Sequence, residues 1–212
     1  MLEDRLTAFG SIPFTHGTLL PLLQGYLRPN DKIAEWLKQG VLVSVKRGLY
    51  VVGPAWRKSE LSLPLVANRL YGPSCVSLDY ALSWHGLIPE RVHELTSVCM
   101  RRSRVVENDL GRFSYTVVPK TLFPVGIQQI MISDEITFLM ATPAKALCEK
   151  ILLVRHLQAF SSSAMQRFLF EDLRLDEDAL GDMDLQTVEQ YVDSGHKPRQ
   201  MKALLHVLEK YK

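Results

Sequence analysis

The stretch "QGVLVSVKRGLYVVG", residues 39–53, constrains the fold of this chain more than any other. Val and Leu favour a pleated, half-buried surface, and a glycine-containing break between two apolar runs supplies a turn. The pattern predicts a hairpin from about Val41 to Val52, with Lys46 and Arg47 at its tip. The residues before it carry helical periods. "LEDRLTAF" spaces Leu2, Leu6 and Phe9 for a short first helix over 2–9, which Gly10 and Pro13 end. Thr18 is expected to cap a second helix, with Pro21 in its first turn, Leu19, Leu20, Leu22 and Leu23 on its apolar face and Gly25 at its end. Asn30 is expected to cap a third, "DKIAEWLKQ", closed by Gly40. Its buried side is expected to hold Ile33, Ala34, Trp36 and Leu37, leaving Lys32, Glu35, Lys38 and Gln39 in solvent. Three helices followed by a strand, a basic tip and a strand have the order of a winged helix-turn-helix, expected over residues 1–54.

"GPAWRKSELSLP" reads as a linker, and from residue 61 the pattern lengthens. Helices are predicted over 61–71, after the cap Ser77, and in "TPAKALCEKILLVRH", where Thr142 caps and Pro143 takes the first position. Strands are predicted at "LTSVCM", "GRFSYTVVP", "GIQQIMI" and "ITFLMA", with Asp134 and Glu135 in a turn between the last two. The remainder is helical: 161–174, 184–193 and the final "PRQMKALLHVLEKYK". The fold class is therefore α+β, an N-terminal winged helix-turn-helix followed by a larger mixed α+β domain over 61–212.

Bulk properties narrow the setting. No apolar stretch approaches the roughly 20 residues of a membrane span, so no membrane partner is expected. The start "MLEDRLTAFG" lacks the basic end and apolar stretch of a secretory signal, so the expected location is cytoplasmic. Cys75, Cys99 and Cys148 have no paired spacing and read as buried free thiols. The net charge of +2 does not announce a nucleic-acid binder, but charge is unevenly distributed. Residues 160–193 carry nine acids against two bases and residues 194–212 five bases against one acid, so any DNA surface must be local.

A winged helix inserts its second motif helix into the major groove and reaches the neighbouring backbone with its wing. Lys32, Glu35, Lys38 and Gln39 are therefore the candidates for base edges. Lys46 and Arg47 at the wing and Arg28 in the turn are the candidates for phosphate. Arg101, Arg102 and Arg104, in "RRSR", form a second basic cluster that reads equally well as a DNA or RNA contact or as a solvated loop. Trp36 and Tyr50 follow the buried spacing and belong to the core. Phosphate-loop, nucleophile-elbow and zinc-helix motifs are missing, and no lysine follows an acid by two positions as on many nuclease strands. His85 and His93 lack a spaced set of partners and read as structural. No catalytic residue, metal ligand or cofactor is expected, and the chain is not expected to be an enzyme.

The pieces "RGLYVV", "PSCVSLDYALSWHGLIPERVHELTSV" and "FLMATPAKALCEKIL", which cover most of residues 40–155, resemble the AbiEi-type antitoxins of type IV toxin-antitoxin systems. That resemblance implies a larger domain with antitoxin activity and a repressor that binds inverted repeats of double-stranded DNA in its own promoter. It also implies a functional partner, a nucleotidyltransferase-like toxin of an abortive-infection system, counteracted without necessarily being touched. Carried over by position, DNA contact falls on Lys32, Lys38, Lys46 and Arg47, and the family's positive surface on the larger domain falls nearest "RRSR". Residues 1–35 match only in outline, and 160–212 do not align. Two other readings follow from the residues alone: a nuclease-like or transferase remnant guided by the winged helix, and a protein-binding platform using the acidic 171–184 stretch or the last amphipathic helix.

Overall fold

The computed structural model describes residues 6–57 and 59–212 and is a mixed α+β structure with two sheets. The predicted first helix begins outside the described residues. Within them, Leu6 and Thr7 are helical and Leu6 is fully buried. A two-residue strand that the periodicity does not reveal, β1 (Phe14–Thr15), comes next. Helix α1 (His16–Leu19) starts directly after it and tightens into a 3-10 turn at Leu20–Leu23. Its N-cap position is Thr15 rather than Thr18, which lies inside the helix with its hydroxyl 2.9 Å from that of Thr15. Helix α2 (Pro29–Lys38) likewise begins one residue before the expected cap. Proline is pre-organised for the first helical position, so Asn30 falls within the first turn.

The hairpin forms as β2 (Leu42–Lys46) and β3 (Leu49–Val52), with β1 on the other side of β3 to give the order β1-β3-β2. Lys46 pairs with Leu49, which leaves Arg47 and Gly48 as a two-residue tip; Gly48 takes the φ of +78° that such a turn requires. All four residues of β3 are buried because both its faces are covered. Tyr50 and Val52 complete a small core with Phe14, Leu19, Leu23, Ile33, Trp36 and Leu42, whereas Leu49 and Val51 join the core of the larger lobe. A register shift between Ser44 and Lys46 turns Val45 to that same larger core. Just past β3, a Cβ on Gly53 would lie 1.8 Å from the Gly40 carbonyl oxygen, so only glycine lets the strand end pass the turn that closes α2.

In the segment expected to be a linker, Pro54–Trp56 forms a 3-10 turn, and Ser11 Oγ donates to the Ser59 carbonyl at 2.8 Å. Helix α3 (Leu63–Leu70) follows, its N-terminus capped by Ser62. The second sheet contains β4 (Ser74–Val76), β5 (Leu95–Cys99), β6 (Arg104–Asn108), β7 (Gly111–Val117), β8 (Ile127–Met131) and β9 (Thr137–Ala141), ordered β6-β7-β5-β4-β9-β8. Two of these depart from the sequence reading: "PSCV" forms β4, and "RRSR" runs directly into β6. Strand β4 is three residues long and pairs with strands distant in sequence, whereas β6 is an exposed edge strand whose hairpin partner β7 follows it directly.

Helix α3 lies on one face of this sheet, where the Tyr115 hydroxyl donates to the Ala67 carbonyl at 2.8 Å. Asn68 on the same helix brackets β9, accepting from Leu139 N and donating to Leu139 O. Helix α4 (Leu78–Trp84) lies on the other face, tied to it by Thr96 Oγ1, which donates to Ser77 O and accepts from Tyr80 N. Helix α5 (Pro143–Leu153) begins as expected, with Thr142 Oγ1 accepting from Lys145 N. Then come α6 (Ser162–Arg167), extended by a π turn at Phe168–Asp172, α7 (Leu185–Asp193) and α8 (Pro198–Leu208). Both α7 and α8 pack on α5 and on each other. Among the described residues no helix is long and apolar enough to cross a membrane.

Candidate nucleic-acid interface

Helix α2 has two flanks of opposite character, and its buried side explains why. Ile33 and Trp36 point into the small core, which turns one exposed flank toward the preceding turn and the other toward the hairpin tip. On the first flank the charges neutralise one another. Lys32 Nζ is 3.0 Å from Glu35 Oε1, which also accepts from Gln39 Nε2 at 3.0 Å. The hydrogen bond from Lys32 holds the Glu35 carboxyl below its ordinary value. Lys32 also lies over the rings of Trp36 and Tyr26, 5.7 and 6.0 Å from their centroids, and only 18% of its side chain is exposed. The expectation that Lys32 stands free in solvent is thereby corrected: its aliphatic stem covers aromatic surface and its ammonium meets Glu35. Arg28 at the start of the helix is highly exposed, with Asp31 at 3.8 Å.

The second flank faces an open groove lined by His16, Asn30, Ala34, Arg47 and Tyr50, among others. Ala34, expected inside, is exposed at its rim. Lys38 is exposed on the last turn of the helix and Arg47 at the hairpin tip, and among the described residues neither is within ion-pairing distance of an acid. The His16 N–H donates to the Gly48 carbonyl at 2.9 Å, which fixes the tip against the start of α1. The groove is therefore walled by a helix and a pinned basic turn.

Lys46 takes a different path from Arg47. Its Nζ donates to the carbonyls of Leu70 at 2.6 Å and Arg69 at 3.2 Å, the last carbonyls of α3. A helix C-terminus leaves such carbonyls unpaired and carries partial negative charge, so it draws a cation. Burial, with the nearby Arg104 charge, pushes the Lys46 ammonium below its ordinary range. Asn108 Nδ2 donates to Val45 O at 2.9 Å, so the same strand is held from the sheet side as well. The structure thus brings one residue of the second basic cluster, Arg104, close to the hairpin, where it also lies over the Tyr71 ring at 5.9 Å. Arg101 and Arg102 are exposed in the segment before β6, and the Arg102 carbonyl accepts from the Tyr71 hydroxyl at 3.1 Å.

A fully buried polar cluster on α5 was not legible in the sequence. Lys145 and Glu149, one turn apart on α5, are completely buried and 2.7 Å apart. Lys145 Nζ also donates to the carbonyls of Phe123 and Leu122 at 2.9 and 3.2 Å. Glu149 accepts from the hydroxyls of Tyr191 and Ser77. Desolvation pushes the Glu149 carboxyl up, against the opposing pull of Lys145. The only signal in the sequence was a Lys and a Glu four apart in a helix apolar on nearly every side. Ser77, expected as a helix cap, spends its hydroxyl here. His85 Nε2 is 2.9 Å from the Ala141 carbonyl oxygen. Cys75, Cys99 and Cys148 are buried and free, and burial raises the thiol pKa of each. Among the described residues no cluster of His, Cys, Asp or Glu is arranged to hold a metal. No protein-family model and no curated protein matches this sequence.

Proposed function

We propose that this chain is a double-stranded-DNA-binding transcriptional autoregulator whose N-terminal unit is a winged helix. The observation that carries the reading is the groove between α2 and the hairpin tip: among the described residues neither Arg47, which lines it, nor Lys38, on the last turn of α2, has an acidic partner, while the acids of α2 are engaged on its other flank. A polyanion is attracted to unneutralised cations beside a helix narrow enough for the major groove. The strand order β1-β3-β2 around α1 and α2 supports the winged-helix assignment. Residues 1–54 are the reader, with Lys38 on the inserted helix, Arg47 on the wing and Arg28 at the flank. Lys46 supports the wing from behind. Arg101, Arg102 and Arg104 extend the positive surface on the lobe of residues 61–212.

In this reading the larger lobe is the antitoxin domain of an AbiEi-type protein, cytoplasmic and non-enzymatic, paired with a nucleotidyltransferase-like toxin and repressing their common promoter. Its support is the resemblance of residues 40–155. The DNA reading is tested by measuring affinity for the chain's own promoter fragment across a salt series. Arg47→Ala is expected to weaken binding and to lower the slope of log affinity against log salt by about 0.9. An unchanged slope removes the wing from the mechanism. The antitoxin reading is tested by co-expression with the product of the adjacent gene. Rescue of growth supports it, and toxicity undiminished by an expressed, folded chain removes it.

A further inference from the structure

Lys32, Glu35 and Gln39 are occupied with one another on the flank away from the wing. Asn30 and Ala34 line the groove, and with Lys38 on the last turn they recur every fourth residue of α2, about 6 Å from one to the next. Asn30 is exposed, and among the described residues its amide makes no hydrogen bond. Ala34 is exposed and small, so nothing on the helix stands above it to keep a base edge away. An amide carbonyl and NH2 side by side match N6 and N7 of adenine, and an exposed methyl matches the thymine methyl.

Resting on the DNA-binding reading above, we propose that Asn30 is the residue that selects sequence. Its amide pairs with an adenine edge in the major groove, while Ala34 covers a thymine methyl about two base steps away, at roughly 3.4 Å per step. Lys38 and Arg47 hold phosphates on either side of these base pairs, giving register without sequence information. The alternative assignment, in which Lys32, Glu35 and Gln39 read bases, requires Lys32 and Gln39, both bonded to Glu35, to separate from it before any base is met.

The test is selection of duplexes from a library of randomised double-stranded DNA by the full chain, followed by sequencing, for the wild type, Asn30→Ala and Ala34→Glu. The wild type is expected to enrich a motif containing an A·T pair. Asn30→Ala should lose about tenfold to a hundredfold of the preference at that one position while keeping the rest of the motif. Ala34→Glu, which sets a carboxylate against the bases, should abolish enrichment while leaving the thermal midpoint unchanged. An Asn30→Ala protein that enriches the wild-type motif at every position overturns the assignment of Asn30 and leaves the DNA reading standing. A wild type that retains no duplex at low salt overturns the DNA reading, and the assignment falls with it.

Discussion

Among the described residues two Lys–Glu pairs lie on helices, and they teach opposite lessons. Lys32 and Glu35 on α2 are three residues apart with Glu35 open to water, whereas Lys145 and Glu149 on α5 are four apart with neither side chain exposed. Spacing and residue type are almost the same. The difference lies in what surrounds each pair. Water screens the first, so its main effect is to occupy a helix flank that would otherwise present free charge. The second has exchanged water for carbonyls from the Leu122–Phe123 turn and hydroxyls from Ser77 and Tyr191, so the chain there is committed to one arrangement. A buried pair of this kind is weak evidence for net stability, because desolvation opposes the attraction, but removing one partner strands the other.

The sharpest way to break the comparison is Glu149→Ala. It leaves Lys145 with carbonyls and a hydroxyl but no counter-charge, and the expected loss is about 3–5 kcal/mol in denaturant unfolding. Replacing both partners by apolar residues of similar volume, Lys145→Met with Glu149→Leu, should recover most of that loss. A double variant as unstable as the single one would mean that the neighbouring hydroxyls and carbonyls, now unpaired, dominate the cluster.

How much of this was legible beforehand follows from the range of the forces involved. Helix α5 could be read because Thr142, Pro143 and the apolar period are local, and the hairpin because Val, Leu and Gly announce it within a dozen residues. Strand β6 was missed because, as an exposed edge strand reading "RVVEN", it carries no clear apolar alternation although its hairpin partner β7 follows directly, and β1 and β4 because each is short and depends on a distant partner. The fate of Lys46 was illegible for the same reason, since it is decided by the end of a helix more than 20 residues further on. The flank of α2 that meets the hairpin tip could not be chosen from a helical wheel alone, as both flanks carry polar residues. Only the position of the hairpin tip distinguishes Asn30 and Ala34 from Lys32 and Glu35.

A smaller effect sharpens the comparison through pH. Desolvation raises the Glu149 carboxyl above its ordinary value of 4.5 in the folded chain, despite Lys145. A carboxyl with a raised folded pKa is protonated more readily in the native state. Its favourable contribution is therefore complete below the unfolded pKa and is lost as pH rises through the folded one. The stability of the wild type relative to Glu149→Gln should accordingly move in the wild type's favour as pH falls from neutral toward 4.5. A gap that narrows on acidification would mean that the pull of Lys145 outweighs desolvation.

The exposed pair should respond least. For Glu35 the shift has the opposite sign: the hydrogen bond from Lys32 lowers its folded pKa, so any contribution is present above the unfolded value and lost as pH falls through the folded one. Because Glu35 sits in water, Glu35→Gln at neutral pH should move the thermal midpoint by less than about 2 °C, and the difference should vanish in about 1 M salt, where the screening length is roughly 3 Å. A larger shift that persists in salt would show that the Lys32 stem, lying over Trp36 and Tyr26, is held in place by Glu35. The pair on α2 would then be a packing device like the one on α5, and the contrast between the two would be one of degree.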